Sequence, residues 1–271
     1  MPELPEVETT RRGIEPHLRG RRIVDVVVRE ARLRWPVAAD LPALLRGQQV
    51  TQVTRRAKYL LIGLERGTVI VHLGMSGSLR VASGNEPPRP HDHVDLLLHG
   101  GRVLRLHDPR RFGSIHYTQA DPGTHRLLAA LGVEPLSEAF DGSVLTRAAQ
   151  ARRCAVKTLI MDSHIVVGVG NIYASESLYL AGIHPARSCA RIAPRRYASL
   201  AAAIRQVLAS AIADGGTTLR DFVNGVGEPG YFAQSLNVYG RAGAPCRGCG
   251  AAVKARVIAQ RNTFFCTRCQ R

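Results

Sequence analysis

Along the 271 residues the spacing of hydrophobic positions changes from a helical period to a strand period and back again. Residues 5–19 place Val7, Ile14 and Leu18 on one stripe, with Pro5 suited to a first turn and Glu6 and Glu8 near the positive end of the helix dipole. Pro16 predicts a kink or an early stop. From residue 23 to about 118 the apolar runs shorten, and the pattern predicts strands over 23–29, 50–54, 59–64, 68–73, 79–82, 94–99, 103–107 and 114–117. Gly100 and Gly101 lie between two of these runs and predict a two-residue hairpin, because the primed turns need positive φ at little steric cost. Many short strands joined by such turns predict a sandwich or barrel.

After about Gly132 the helical period returns. Its clearest stretch, 194–214, aligns Leu200, Ile204, Val207, Leu208, Ala211 and Ile212 and stops at Gly215 and Gly216. Shorter helices are predicted over 124–131, 144–151, 156–163 and 171–181. Residues 215–237 hold five glycines and one proline and fit no regular element, as expected of a functional loop. No internal repeat is present. The fold class is therefore α+β and multidomain.

Charge narrows the function. Lys plus Arg outnumber Asp plus Glu by 37 to 21, a formal net charge of +16, so the expected partner is a polyanion: nucleic acid first, an anionic membrane second. No apolar run approaches the roughly 20 residues of a membrane span, and the acidic start with Glu3, Glu6 and Glu8 is unlike a signal peptide. A cytoplasmic protein is expected.

Four of the six cysteines form two close pairs, Cys246/Cys249 and Cys266/Cys269, with sixteen residues between the pairs. Two such knuckles converge on one tetrahedral zinc, and the strand-like run 252–258, the polar turn 260–263 and Phe264-Phe265 predict a zinc-clipped β-hairpin. Four sulfur ligands leave no open position for catalysis, so the finger implies nucleic acid rather than chemistry. Its Arg247, Lys254, Arg256, Arg261 and Arg268 suit phosphate contact. At the other end, removal of Met1 ahead of the small residue Pro2 leaves a secondary amine, which condenses directly with an aldehydic carbon to an iminium. Many proteins begin with proline to no catalytic purpose, so this feature needs company.

That company is PELPEVE at 2–8, Lys58 in RRAKYLL, HLGMSGSLR at 72–80, HDHVD at 91–95, DPRRFG at 108–113, VVGVGNIYASES at 166–177 and the terminal finger. In this order, and from Pro2 to the last cysteine, the chain closely resembles the formamidopyrimidine-DNA glycosylases. The resemblance implies an N-terminal β-sandwich with flanking helices (2–132), a helix-two-turns-helix domain (133–235) and a zinc-finger β-hairpin (236–271) around one structural zinc. It implies a base-excision-repair glycosylase and AP lyase that flips oxidised purines out of damaged double-stranded DNA and cleaves the strand by β,δ-elimination. The expected setting is a monomer in the bacterial cytoplasm, associated with the nucleoid, with no membrane and no obligate protein partner.

Residue by residue, the resemblance makes Pro2 the nucleophile, Glu3 the general acid, Lys58 a pocket lysine near the lesion, and Arg261 a phosphate clamp at the hairpin tip assigned to the last elimination step. Met75, Arg110 and Phe112 correspond to the side chains that fill the hole left by the flipped nucleotide. His91, Arg110, Arg152, Arg153, Asn171 and Tyr173 correspond to DNA-binding positions, Gly168 and Gly170 to a turn whose amides approach phosphate, and the stretch from Thr217 and Thr218 to a loop that closes over the base. Read without the family, Glu3 is also a first-turn carboxylate, Lys58 a surface lysine, Met75 and Phe112 core, and the glycines a plain turn. The alternatives carried forward are an endonuclease VIII-type glycosylase for oxidised pyrimidines and a non-enzymatic zinc-finger DNA-binding protein.

Overall fold

The structure, a computed structural model, describes residues 2–216 and 236–271; Met1, Thr217, Thr218 and most of the glycine-rich stretch lie outside these residues. The described residues divide into two compact units, 2–129 with 214–216, and 130–213 with 236–271.

The first unit opens with helix α1 (Leu4–Leu18), which runs through Pro16 without stopping early; its last turn closes where the Arg19 amide bonds to the Glu15 carbonyl. Eight strands follow: β1 (Ile23–Val28), β2 (Val50–Arg56), β3 (Tyr59–Leu64), β4 (Thr68–His72), β5 (Ser78–Ser83), β6 (Asp92–Leu98), β7 (Arg102–His107) and β8 (Ser114–Thr118), with the short helix α2 (Leu41–Leu45) between β1 and β2. They form two antiparallel four-stranded sheets, ordered β1-β6-β7-β5 and β2-β3-β4-β8. Val26, Leu96, Leu104 and Leu106 from one sheet and Val53, Leu60, Ile62 and Val71 from the other share one core, which Val7, Ile14 and Leu18 of α1 join. This is the expected sandwich with a flanking helix. Gly100 and Gly101, at φ +93° and +73°, turn β6 into β7 as the dipeptide predicts.

The outer face of β6 and β7 is unusual in being buried and charged. Arg105 donates from Nε and Nη2 to the Asp95 carboxylate, 2.9 Å for each bond, and Arg80 donates from Nη1 and Nη2 to Asp92 at 3.1 and 2.9 Å. Asp92, Asp95 and Arg105 are each 2% exposed, so these charges persist in the interior only because each is matched.

The second unit holds α3 (Gly142–Gln150), α4 (Val156–Ile160), α5 (Asn171–Leu180) and α6 (Pro194–Ala213), then the hairpin β9 (Lys254–Ile258) and β10 (Arg261–Phe265). Asp141 caps α3 by accepting from the Ser143 and Val144 amides. The stripe expected on α6 is buried at Leu200, Ile204, Leu208 and Ala211, while Ile212 is half-buried. The helix expected over 124–131 does not form: the chain there makes successive turns, with the Leu128 and Ala129 amides both bonding to the His125 carbonyl. One such turn lacks the length to propagate. No helix among the described residues is long and apolar enough to cross a membrane.

Candidate active site and nucleic-acid interface

In the first unit, the N-terminal segment is anchored by its own helix. Glu3 is the N-cap of α1, and its amide donates to Glu6 Oε2 at 2.8 Å within a reciprocal capping box. Pro2, Glu3 and Glu6 are all buried. A Cβ on Gly216 (φ +86°) would stand 3.3 Å from Glu6 Cγ and Oε1, so the backbone at 216 lies against the carboxylate that fixes Glu3. The sequence pattern marks Glu6 only as a dipole partner; its spacing of three from Glu3 is the signal that identifies its capping role.

Lys58 lies in the two-residue turn between β2 and β3, where Arg56 pairs with Tyr59. Ala57, the first turn residue, takes φ +55°, a conformation usually left to glycine. Arg55 bridges this turn to α1: its Nη1 donates to the Ala57 carbonyl at 2.8 Å and its Nε to Glu8 Oε2 at 3.2 Å. Burial pushes the Glu8 carboxyl up, but the guanidinium groups of Arg11, Arg12 and Arg55 outweigh it and hold Glu8 below the usual carboxylate range. The helix that presents Pro2 and the turn that presents Lys58 are thus joined by a charge-assisted relay. His72, which pairs with Tyr59 across β3 and β4, is pushed down to about 4 by burial and by the cations of Lys58 and Arg34. At neutral pH it is uncharged, and its Nδ1 accepts from the Gly74 amide at 3.0 Å.

That bond begins the loop carrying Met75. Met75 and Phe112 are 41% and 42% exposed, high for large apolar side chains, and the Arg110 guanidinium lies 4.9 Å from the Phe112 ring centroid. The two loops interlock at Gly74 (φ +66°), where a Cβ would meet Gly113 N and Phe112 C at 2.5 Å. Asp108, fully buried, fixes the far end by accepting from the Gly113 amide through Oδ2 at 2.7 Å. His91 is exposed, at φ +71°, and its carbonyl accepts from the Asp108 amide at 3.0 Å. Sequence reading missed His72 and Asp108, whose parts depend on burial and on contacts distant along the chain.

In the second unit, Arg152, Arg153 and Arg261 line one cavity of about 550 Å³. Arg152 also donates to the Ala148 carbonyl at 3.2 Å and pairs with Asp162 at 3.5 Å. Arg261 opens β10 and flanks the turn rather than forming its tip, which is Ala259 and Gln260 at φ +46° and +61°. Asn171 opens α5 beside Gly170, and its side chain is engaged within the protein: Nδ2 donates to the Asn262 carbonyl at 2.9 Å and Oδ1 accepts from Lys157 Nζ at 2.5 Å. Lys157, 1% exposed, also donates to Thr263 Oγ1 at 2.7 Å, so a buried ammonium ties α4, α5 and the hairpin together. Tyr173 is wholly buried on α5. Glu176, also missed, accepts from the amides of Asn237, Val238 and Tyr239 at 2.8, 2.9 and 2.9 Å.

All five non-glycine residues with positive φ among those described lie at or within two positions of an expected site residue: Ala57, His91, Arg111, Ala259 and Gln260. Strained backbone collects where side chains must be held against local preference.

The four sulfur atoms of Cys246, Cys249, Cys266 and Cys269 all lie within 4.8 Å of one another, with Cys246–Cys269 at 3.8 Å and Cys249–Cys266 at 3.5 Å. Zinc–sulfur bonds of about 2.3 Å in a tetrahedron require sulfur separations of about 3.8 Å, so the donor set fits one structural zinc. The Tyr179 hydroxyl lies 3.3 Å from Cys246 Sγ, and Gln270 Nε2 donates to the Ile183 carbonyl at 3.0 Å, tying the finger to the end of α5.

Comparison with known proteins matches the formamidopyrimidine-DNA glycosylase N-terminal domain to residues 1–115, the H2TH domain of the same enzymes to 131–223, and the zinc finger found in FPG and IleRS to 243–271. A formamidopyrimidine-DNA glycosylase of Methylococcus capsulatus is 60% identical over the full length of both chains. The MutM (Fpg) protein of Thermus thermophilus superposes with TM-score 0.89 at 41% identity, covering 99% of this chain and 98% of that one. A Lactococcus lactis Fpg variant, in complex with DNA containing Fapy-dG, superposes with TM-score 0.93 at 31% identity over all of both chains.

Proposed function

The chain belongs to the formamidopyrimidine-DNA glycosylase family, and from that premise we propose how its residues carry the activity. The enzyme is a zinc-finger DNA glycosylase and AP lyase of base-excision repair, and its substrate is duplex DNA bearing oxidised purines such as 8-oxoguanine and formamidopyrimidines. Pro2, freed of Met1, attacks the sugar C1′ with its amine lone pair. The glycosidic C–N bond breaks and the base leaves with a proton. Glu3, beside the amine, acts as general acid in opening the sugar ring, which leaves an iminium between Pro2 and C1′. Elimination then expels the phosphate on each side in turn, and water releases the enzyme.

The observation that carries this reading is the cap of α1, where the buried Glu3 directly follows Pro2 in the chain and Glu6 fixes the peptide between them. Lys58 contributes a cation near the lesion, positioned by Arg55 and Glu8. Met75, Arg110 and Phe112 occupy the vacated stack, an apolar pair and a guanidinium replacing lost stacking and hydrogen bonds. His91, Arg152, Arg153 and Arg261 hold phosphates without reading sequence, and arginine suits a clamp better than proton transfer because it scarcely titrates. Asn171 and Tyr173 serve on α5 as the frame for backbone amides at Gly168 and Gly170. The functional division is 2–132, 133–235 and 236–271, and the enzyme works as a monomer on nucleoid DNA in the cytoplasm. Zinc supplies structural cross-linking of the finger, held by its four cysteines.

Borohydride reduction in the presence of an 8-oxoguanine duplex tests the assignment. The wild type should form a covalent adduct, Pro2→Gly or a protein retaining Met1 should lose nearly all of it while binding DNA almost normally, and Glu3→Gln should slow turnover at least about a hundredfold. Wild-type trapping by Pro2→Gly would refute the nucleophile. Preference for a thymine glycol duplex would move the enzyme to the endonuclease VIII class.

A further inference from the structure

The two cysteines outside the finger face each other. Ala155 and Ser188 form an isolated antiparallel bridge, and the Val156 and Cys189 amides bond to the Arg187 and Cys154 carbonyls at 2.8 and 2.9 Å. This register sets Cys154 directly opposite Cys189. Hydrogen-bonded pairs of this kind have Cα atoms about 5.5 Å apart, inside the roughly 4.4–6.8 Å range that a disulfide spans. The sulfurs are 3.9 Å apart. Cys189 is fully buried, its Sγ–H donating to the Arg152 carbonyl at 3.2 Å and its own carbonyl taken by the Tyr197 hydroxyl at 2.7 Å. Cys154 is half-exposed and lines the same cavity as Arg152, Arg153 and Arg261.

We propose that Cys154 and Cys189 are a peroxide-oxidisable dithiol whose conversion to a disulfide loosens the Arg152–Arg153 grip on DNA. Cys154, the reachable sulfur, attacks one oxygen of hydrogen peroxide; the O–O bond breaks, hydroxide leaves as water with the thiol proton, and a sulfenic acid remains. Cys189 then attacks the Cys154 sulfur, the S–O bond breaks, and hydroxide departs as water with the Cys189 proton. Two thiols lose two protons and two electrons, and one peroxide takes them up to become two waters. Burial raises the Cys189 thiol above its ordinary range, which leaves the first attack to the more exposed Cys154. The new bond removes the hydrogen that Cys189 gave to the Arg152 carbonyl and draws Cys154 toward residue 189, so the segment bearing both arginines loses one of its anchors. The effect on DNA rests on the phosphate role proposed above for Arg152 and Arg153; the cross-link does not.

The test treats zinc-loaded protein with graded hydrogen peroxide while zinc release is followed by a chromogenic chelator. Before zinc is lost, the intact mass should fall by two hydrogens, and digestion without reductant should yield one linked peptide containing Cys154 and Cys189. Cys189→Ala and, independently, Cys154→Ser should each abolish it. The oxidised wild type should bind lesion DNA about three- to tenfold more weakly, the scale of one hydrogen bond, and thiol reductant should restore it. Free Cys154 and Cys189 at the point of zinc release would overturn the proposal, and a mapped cross-link with unchanged affinity would overturn its effect on binding. Reduced Arg152→Ala and Arg153→Ala that bind like wild type would instead refute the phosphate role.

Discussion

Gly74 concentrates the demands placed on the side chains proposed to fill the void. Its φ of +66° and the 2.5 Å that a Cβ would leave to Gly113 N and Phe112 C mean that Gly74→Ala must push the Met75 loop off the Arg110–Phe112 loop. We expect a stability loss of about 1–3 kcal/mol and, more tellingly, cleavage that no longer discriminates the base opposite the lesion, read from rates on duplexes differing only at that base. His72 adds a pH dependence. Its folded pKa of about 4 lies below the ordinary 6.5, so the unfolded chain binds the proton more readily. The stability this contributes is complete above pH 6.5 and is lost as pH falls toward 4. His116, also lowered to about 4 by burial and by His125 and Arg126, acts in the same direction. Thermal melts should show a midpoint falling between pH 6.5 and 4, with a shallower fall in His72→Gln; equal slopes would exclude His72. Neither residue could be ranked from sequence, where a histidine at the end of a strand and a glycine before a methionine carry no record of burial or of the backbone 39 positions away that Gly74 meets. Met75 and Phe112 were legible because they stand in motifs, and their exposure is what a bare reading as core would deny them.

At the level of elements, legibility followed local chemistry. The eight strands show in short apolar runs, the β6–β7 hairpin in Gly100-Gly101, and the finger in its cysteine spacing, since each rests on neighbours along the chain. The expected helix at 124–131 failed because its apolar stripe ends at Gly132 and because Arg126 is engaged elsewhere, 4.3 Å from the Trp35 ring centroid. The Lys157 tie among α4, α5 and β10 was invisible for the converse reason: its partners Asn171 and Thr263 are 14 and 106 positions distant. That tie makes zinc removal consequential beyond the finger. Stripping the metal frees four thiolates to repel or protonate, and the hairpin that accepts from Lys157 loses its closure. Chelation should therefore raise hydrogen exchange in α5 as well as in 246–269 and depress DNA binding. Exchange confined to the finger would show that Lys157 does not couple them.

For the whole molecule, the net charge of +16 suits a polyanionic partner. If Arg110, Arg152, Arg153 and Arg261 each displace condensed counterions, the logarithm of affinity should fall with the logarithm of salt at a slope of about −3.6. A flat profile from fluorescence anisotropy would contradict a phosphate-gripping surface. The two compact units share another property, since each carries left-handed non-glycine residues beside its expected site groups: Ala57, His91 and Arg111 in one, Ala259 and Gln260 in the other. Glycine at these places would relieve the backbone at a gain of order 1 kcal/mol, making them the obvious choices for anyone selecting a hardier enzyme. They are also where such selection would be self-defeating. A screen scored on heat resistance alone would enrich variants in which Lys58, Phe112 and Arg261 wander, so robustness in this protein is better sought far from its turns.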